Sequence, residues 1–180
     1  MNPIIPVAAI EAVTDRETQG KRLYYDAFIL PESEVDYSTP PTVTESASAR
    51  TMSALTLIDG ATGWRKFSFV KNTLEATSEG SAGDITTAVT TTLQGTLGGK
   101  REVIDNLIQD QTGNRFFVVT VDRLTQDKTI YGRPYAPMEL KSFSKRENKD
   151  NTSCDISFVN EFAFQPLKYL GSVVTEDDSD

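Results

Sequence analysis

Apolar and polar residues alternate along most of this chain, and the period is two far more often than it is three or four, so strands dominate the reading. Residues 21–30 (KRLYYDAFIL) form a short aromatic strand. Residues 53–58 (SALTLI) alternate and then meet turns at Asp59-Gly60 and Thr62-Gly63. Two nearly continuous strands follow at 65–70 and 71–79, with Phe67 and Phe69 on one face, and residues 79–83 (EGSAG) read as a flexible loop tip. The run 84–97 (DITTAVTTTLQGTL) is a long strand. Ile85, Thr87, Val89, Thr91 and Leu93 share one face; Thr86, Ala88, Thr90, Thr92 and Gln94 share the other, which is small and polar throughout.

The period changes once. Residues 100–111 (KREVIDNLIQDQ) place Val103, Ile104, Leu107 and Ile108 on one helical stripe, and Thr112-Gly113-Asn114 supplies residues that tolerate a left-handed stop. Residues 115–123 (RFFVVTVDR) are apolar on both faces, as a central buried strand is. A turn at 125–128 leads into 129–132, predicting a hairpin, and 135–144 is another extended run. The clearest strand is 152–164, with Cys154, Ile156, Phe158, Phe162 and Phe164 on one face, interrupted by Asn160. Strands of this length belong to a barrel or sandwich. The fold class is therefore mainly β: an antiparallel β-sandwich or barrel with one flanking helix, a long hairpin and an extended N-terminal arm or loop.

Composition changes the picture at the two ends. Between Pro31 and Arg50 the text PESEVDYSTPPTVTESASAR lacks large apolar residues, so it is either a flexible linker or an arm that orders against something else. Residues 175–180 (TEDDSD) are an acidic tail. This gives a single domain with an N-terminal strand and arm over 1–52, a β core over 53–174 and a tail over 175–180. The 180 residues carry 18 Lys and Arg against 26 Asp and Glu, a formal charge of -8. That balance disfavours a protein that wraps nucleic acid. The N-terminus lacks the basic start of a signal peptide, and no apolar run is long enough to span a bilayer.

Candidate chemistry is thin. With no histidine and one cysteine, histidine-based triads, histidine-ligated metals, thiolate zinc clusters and internal disulfides are excluded. The carboxylate pairs Glu75/Glu79 and Asp155/Glu161 have the residue types of a glycosidase site but no accompanying aromatic platform. The loop acids Asp122, Asp127, Asp150 and Asp155 lack calcium-loop spacing. Gly98-Gly99-Lys100 precedes a helix, but Arg101 stands where a phosphate loop needs Ser or Thr. Cys154 reads as a small buried hydrophobe and Trp64 as a packing anchor. No catalytic residue, cofactor or metal site is expected.

Three segments together resemble the tail tube (major tail) proteins of tailed bacteriophages: 84–123 (DITTAVTTTLQGTLGGKREVIDNLIQDQTGNRFFVVTVDR), 132–140 (GRPYAPMEL) and 149–173 (KDNTSCDISFVNEFAFQPLKYLGSV). The resemblance covers about two thirds of the chain and rests on the order polar-faced strand, flanking helix, buried strand, final strand. It implies a sandwich-like barrel that assembles into hexameric rings, stacked into a hollow tube through which viral DNA passes without sequence-specific binding. Its partners would be further copies of itself and other tail proteins such as a terminator, a baseplate or tip, or a sheath, in a virion tail made in the host cytoplasm. On this resemblance Thr86, Thr90 and Thr92 would face the lumen. Tyr37, Pro40, Pro41, Glu79 and Ser81 would lie in the arm and loop between subunits, and deleting residues 33–48 should abolish polymerisation without unfolding the domain. A terminator or connector ring, or a ligand-binding β-sandwich module, are the alternative readings.

Overall fold

A computed structural model describes residues 25–70, 72–82, 87–98, 102–147, 152–162 and 165–173. Among them the chain forms eleven strands and one α-helix. In order these are β1 (Tyr25–Pro31), a 3-10 turn (Glu32–Glu34), β2 (Val43–Glu45), β3 (Arg50–Met52), β4 (Arg65–Phe67), β5 (Glu75–Ala82) and β6 (Thr87–Gly98). After α1 (Glu102–Gln111) come β7 (Arg115–Asp122), β8 (Lys128–Tyr131), β9 (Met138–Glu147), β10 (Thr152–Asn160) and β11 (Leu167–Tyr169). All strands join one sheet, antiparallel everywhere except between β11 and β3.

The sheet branches at β7. One edge of β7 pairs along its length with β1, from Tyr25 opposite Asp122 to Pro31 opposite Phe116, and β4 lies beyond β1. The other edge is divided: Val118 to Val121 pair with β8, whereas Arg115 and Phe116 pair with β9. From β8 the sheet runs on to β11, β3 and β2; from β9 it runs on to β10, β6 and β5. This corrects the expected architecture. The structure is mainly β with one short helix, but the sheet is a single branched one that does not close into a barrel.

Both faces of β7 are covered, as its apolar sequence requires. Phe116 and Val118 enter a core with Leu93, Leu97, Met138, Leu140, Ile156 and Phe158. Phe117 and Val119 enter a second core with Leu30, Met52, Trp64, Ile130 and Tyr169. The helix closes the first core: Ile104 is buried, and Leu107 and Ile108 pack against it. Gly113, at φ +86, stops the helix where expected, and its N–H reaches Leu140 O at 2.8 Å. Lys100 and Arg101 lie outside the described residues.

Several predicted boundaries move for physical reasons. Residues 53–58 are not a strand; they contribute only a bridge between Leu57 and Val35. The long final strand ends at Asn160, whose buried amide donates to Ala136 O (2.7 Å) and Pro137 O (3.0 Å) and whose Oδ1 accepts the Phe162 N–H. That cap turns the chain, so Phe162 is exposed rather than in the core. Tyr135 sits in a turn at φ +66, not in a strand. Glu79 and Ser81, expected in a loop tip, are paired strand residues opposite Thr90 and Ala88.

Candidate functional site: an open polar face

Strands β5, β6, β10 and β9 form a four-stranded antiparallel wing whose two faces differ. On the helix side lie Leu93, Gly95 and Leu97 of β6 with Cys154, Ile156 and Phe158 of β10. Gly95 is a forced choice, because a Cβ there would stand 2.6 Å from the ring of Phe69, which rests on the strand. The opposite face is built in cross-strand rows. One row is Thr96, Asp155 and Ser144; the next is Glu75, Gln94, Ser157 and Ser142; the next is Thr77, Thr92, Val159 and Glu139. Two further rows, Glu79 with Thr90 and Ser81 with Ala88, continue along the hairpin.

Hydroxyls and amides hold this face together. Thr96 Oγ1 donates to Asp155 Oδ1 at 2.6 Å, and Gln94 Nε2 donates to Glu75 Oε2 at 3.2 Å. Arg146 Nη2 lies 3.6 Å from Asp155 Oδ2. Val159 is its single large aliphatic side chain, so the surface is small, hydrophilic and nearly free of grip for apolar ligands. Thr90 and Thr92 lie on it, half-buried. Thr86 falls outside the described residues.

The rim of the wing is also open. Every residue of β5 is exposed, and among the described residues β5 pairs only with β6. Strand β9 is flanked on both sides as far as Leu140, whose N–H reaches Asn114 O; from Lys141 to Arg146 it is exposed and, among the described residues, its strand partner is β10. Sequence alternation located the face but not the rim, because free edges follow from pairing. The available signal was the charge of the two segments, acidic in EATSE (75–79) and basic in KSFSKR (141–146).

The remaining sequence-predicted residues lie elsewhere. Tyr37 stacks on Tyr135 with ring centroids 4.6 Å apart, and its hydroxyl donates to Glu32 Oε1 at 2.9 Å. Burial, reinforced by that carboxylate, pushes the Tyr37 hydroxyl up to about 12. Pro40 is exposed and Pro41 half-buried. The stretch 31–50 around them is tied to the body: Val35 is buried, Glu34 pairs with Arg65, and Glu45 receives two hydrogen bonds from the Arg133 guanidinium. Its charged residues find partners that its lean apolar content did not announce.

Other chemistry is sparse. Cys154 is buried, and burial raises its thiol. Glu75 and Glu79 are exposed on one strand, while Asp155 is engaged by Thr96 and Glu161 stands beyond the end of β10. Among the described residues no group of three or more acidic or cysteine side chains could hold a metal. An apolar groove of about 420 Å³ runs between α1 and the β1–β4 edge, lined by Ile29, Phe67, Ile104, Leu107 and Phe116. Comparison with protein-family models, curated proteins and solved structures gives no match.

Proposed function

We propose that this chain is a structural subunit that self-assembles into rings, stacked into the tube of a phage tail. The observation that carries the reading is the polar face of the β5–β6–β10–β9 wing. A channel wall for DNA must be wetted, smooth and unable to hold a polyanion. Rows of Thr, Ser and Gln with interspersed carboxylates meet all three needs, and the net charge of -8 adds general repulsion. Thr90 and Thr92 would then line the lumen, with α1 on the outside of the ring. The sequence resemblance points the same way, and it supplies the hexameric ring, the neighbouring tail proteins and the virion as expectations.

The test is negative-stain electron microscopy of the purified protein across a concentration series. Stacked rings or hollow tubes are the expected result. Single closed rings that never stack would assign the chain to a terminator or connector instead. A monomer at every concentration would overturn self-assembly and favour a ligand-binding module, a reading to which the exposed, stacked Tyr135 lends an aromatic platform.

A further inference from the structure

The turn between β8 and β9 carries a residue that the fold alone would not choose. Arg133 and Ala136 exchange both backbone hydrogen bonds, at 2.9 and 2.8 Å, and close a tight turn over Pro134 and Tyr135. A turn with proline at its second position takes glycine by preference at a third position of positive φ. Here Tyr135 stands at that position, at φ +66. A bulky side chain at such a φ is strained and persists only where something compensates for it. Tyr135 is 68% exposed, the most open large apolar side chain among the described residues. Burial of the ring does not account for it.

The ring is nevertheless held in place. It stacks on Tyr37, with centroids 4.6 Å apart and planes 20° from parallel, and the Tyr37 hydroxyl is fixed on Glu32 Oε1. The buried Asn160 amide donates to Ala136 O and Pro137 O, which fastens the turn to β10. A fixed ring, backed by a second ring and otherwise open, is a stacking platform. Polar groups gather beside it. Pro31 pairs with Phe116, which sets the 3-10 turn after β1 next to the start of β7. An open pocket of about 350 Å³ is lined there by Glu32, Ser33, Gln111, Asn114 and Arg115. That volume lies in the range of small-ligand sites, about 300–1,000 Å³. Glu32 joins the pocket to the platform: Oε1 accepts from Tyr37, and Oε2 lies 3.8 Å from Nη1 of Arg115, whose side chain is 66% exposed. Asn114 Nδ2 donates to Gln111 Oε1 at 3.1 Å, so both amides are held at the pocket wall.

We infer that this corner binds a neutral oligosaccharide, one pyranose ring lying on Tyr135 and the hydroxyls of the next reaching Glu32, Asn114 and Arg115. A pyranose has a C–H face that stacks on an aromatic ring. Its edge carries hydroxyls, each both donor and acceptor, which carboxylate, amide and guanidinium groups engage in pairs. The carboxylate and the guanidinium of the pocket offset one another, and the net charge of -8 repels acidic sugars, so the ligand is uncharged. The inference goes beyond the subunit reading and stands or falls without it.

The experiment measures binding of cellotriose, chitotriose and maltotriose to the full-length protein by saturation-transfer NMR and isothermal titration, with sialyllactose as the acidic comparison. At least one neutral trisaccharide should bind with a dissociation constant on the order of a millimolar, within reach of one stacked ring and a few hydrogen bonds. Tyr135→Gly should abolish saturation transfer yet melt close to the parent, because relief of the positive φ offsets the lost stack. Tyr135→Trp should retain binding, and Arg115→Ala should weaken it roughly tenfold. The inference is overturned if no neutral trisaccharide binds, if sialyllactose binds more tightly than all three, or if folded Tyr135→Gly binds as the parent does. Should Tyr135→Gly fail to fold, Arg115→Ala decides in its place, and unchanged binding there overturns the inference.

Discussion

Strands β7 and β5 are each eight residues long, yet β7 has five consecutive buried positions and β5 has none. The difference is one of neighbours. β7 is flanked on both edges and covered on both faces, so its Phe and Val side chains divide between two cores. The surrounding segments are clamped by charge: Asp26 to Arg123 and Lys66, Glu34 to Arg65, and Glu45 to Arg133. Among the described residues β5 has one neighbour and no cover, and its Glu, Ser, Thr and Gly content could not form a core. One region satisfies its hydrogen bonds and apolar surface within the chain; the other leaves an edge and a face available. The fold teaches where stability is made and where it is not needed.

The sharpest way to break that contrast is to delete residues 33–48. Before the structure, this segment reads as an arm whose loss should spare the domain. In the structure it carries buried Val35, the Glu34 partner of Arg65, strand β2, and the carboxylate that neutralises the mostly buried Arg133. Removing it takes away the carboxylate paired with Arg133 and opens the second core, so loss of a cooperative unfolding transition is expected. A deletion variant that melts like the parent would show that the segment is an appendage after all. Next in size is Phe117→Ala, a fully buried ring on β7, expected to cost about 3–5 kcal/mol in denaturant unfolding.

Acid should find the same region first. Hydrogen bonding from Arg123 holds the Asp26 carboxyl below its ordinary 3.8, and hydrogen bonding from Arg133 holds Glu45 below its ordinary 4.5. For Glu34, burial pulls upward, but Arg65 and the Gly63 N–H outweigh it and leave the group lowered. Groups with depressed folded values bind fewer protons when folded than when unfolded, so their stabilisation is present above about pH 4.5 and drains away as pH falls through the folded values. Tyr37 works at the other extreme. Its raised value keeps a proton that the unfolded chain releases, so stability should fall between pH 10 and about 12. Unfolding midpoints measured across pH check both signs, and Glu45→Gln should flatten the acid limb.

How much of this was legible in the sequence differs between the two regions. The central burial of β7 follows from residues apolar on both faces, and the helix from its stripe and its Gly113 stop. The polar face of β6 follows from strict alternation, and Thr91, Leu93 and Leu97 are indeed on the buried side. Branching of the sheet is invisible to alternation, because it arises where β8 and β9 share one edge of β7, far apart in sequence. The anchoring of 31–50 was hidden for a related reason. Its stabilisation comes from ion pairs spanning 31 and 88 residues, and composition carries no information about such partners. Asn160 shows the opposite failure: one buried amide ends a strand that the hydrophobic pattern would have continued.

The smallest expected effect sharpens the comparison most, because it asks whether the open face contributes anything to the isolated chain. Thr90 and Thr92 are both half-buried, on the side of β6 away from the core and on the same face as Gln94. Thr90→Ala and Thr92→Ala should therefore change unfolding free energy by no more than about 0.5 kcal/mol. A loss of about 2 kcal/mol would mean that the face is structural and that its polarity needs no functional cause. With stability unchanged, replacing both by Lys becomes informative. On the proposed tube reading, a lumen carrying two extra cations per subunit should retain DNA that the parental surface would let pass, and a DNA-retention assay on assembled tubes reads that difference directly.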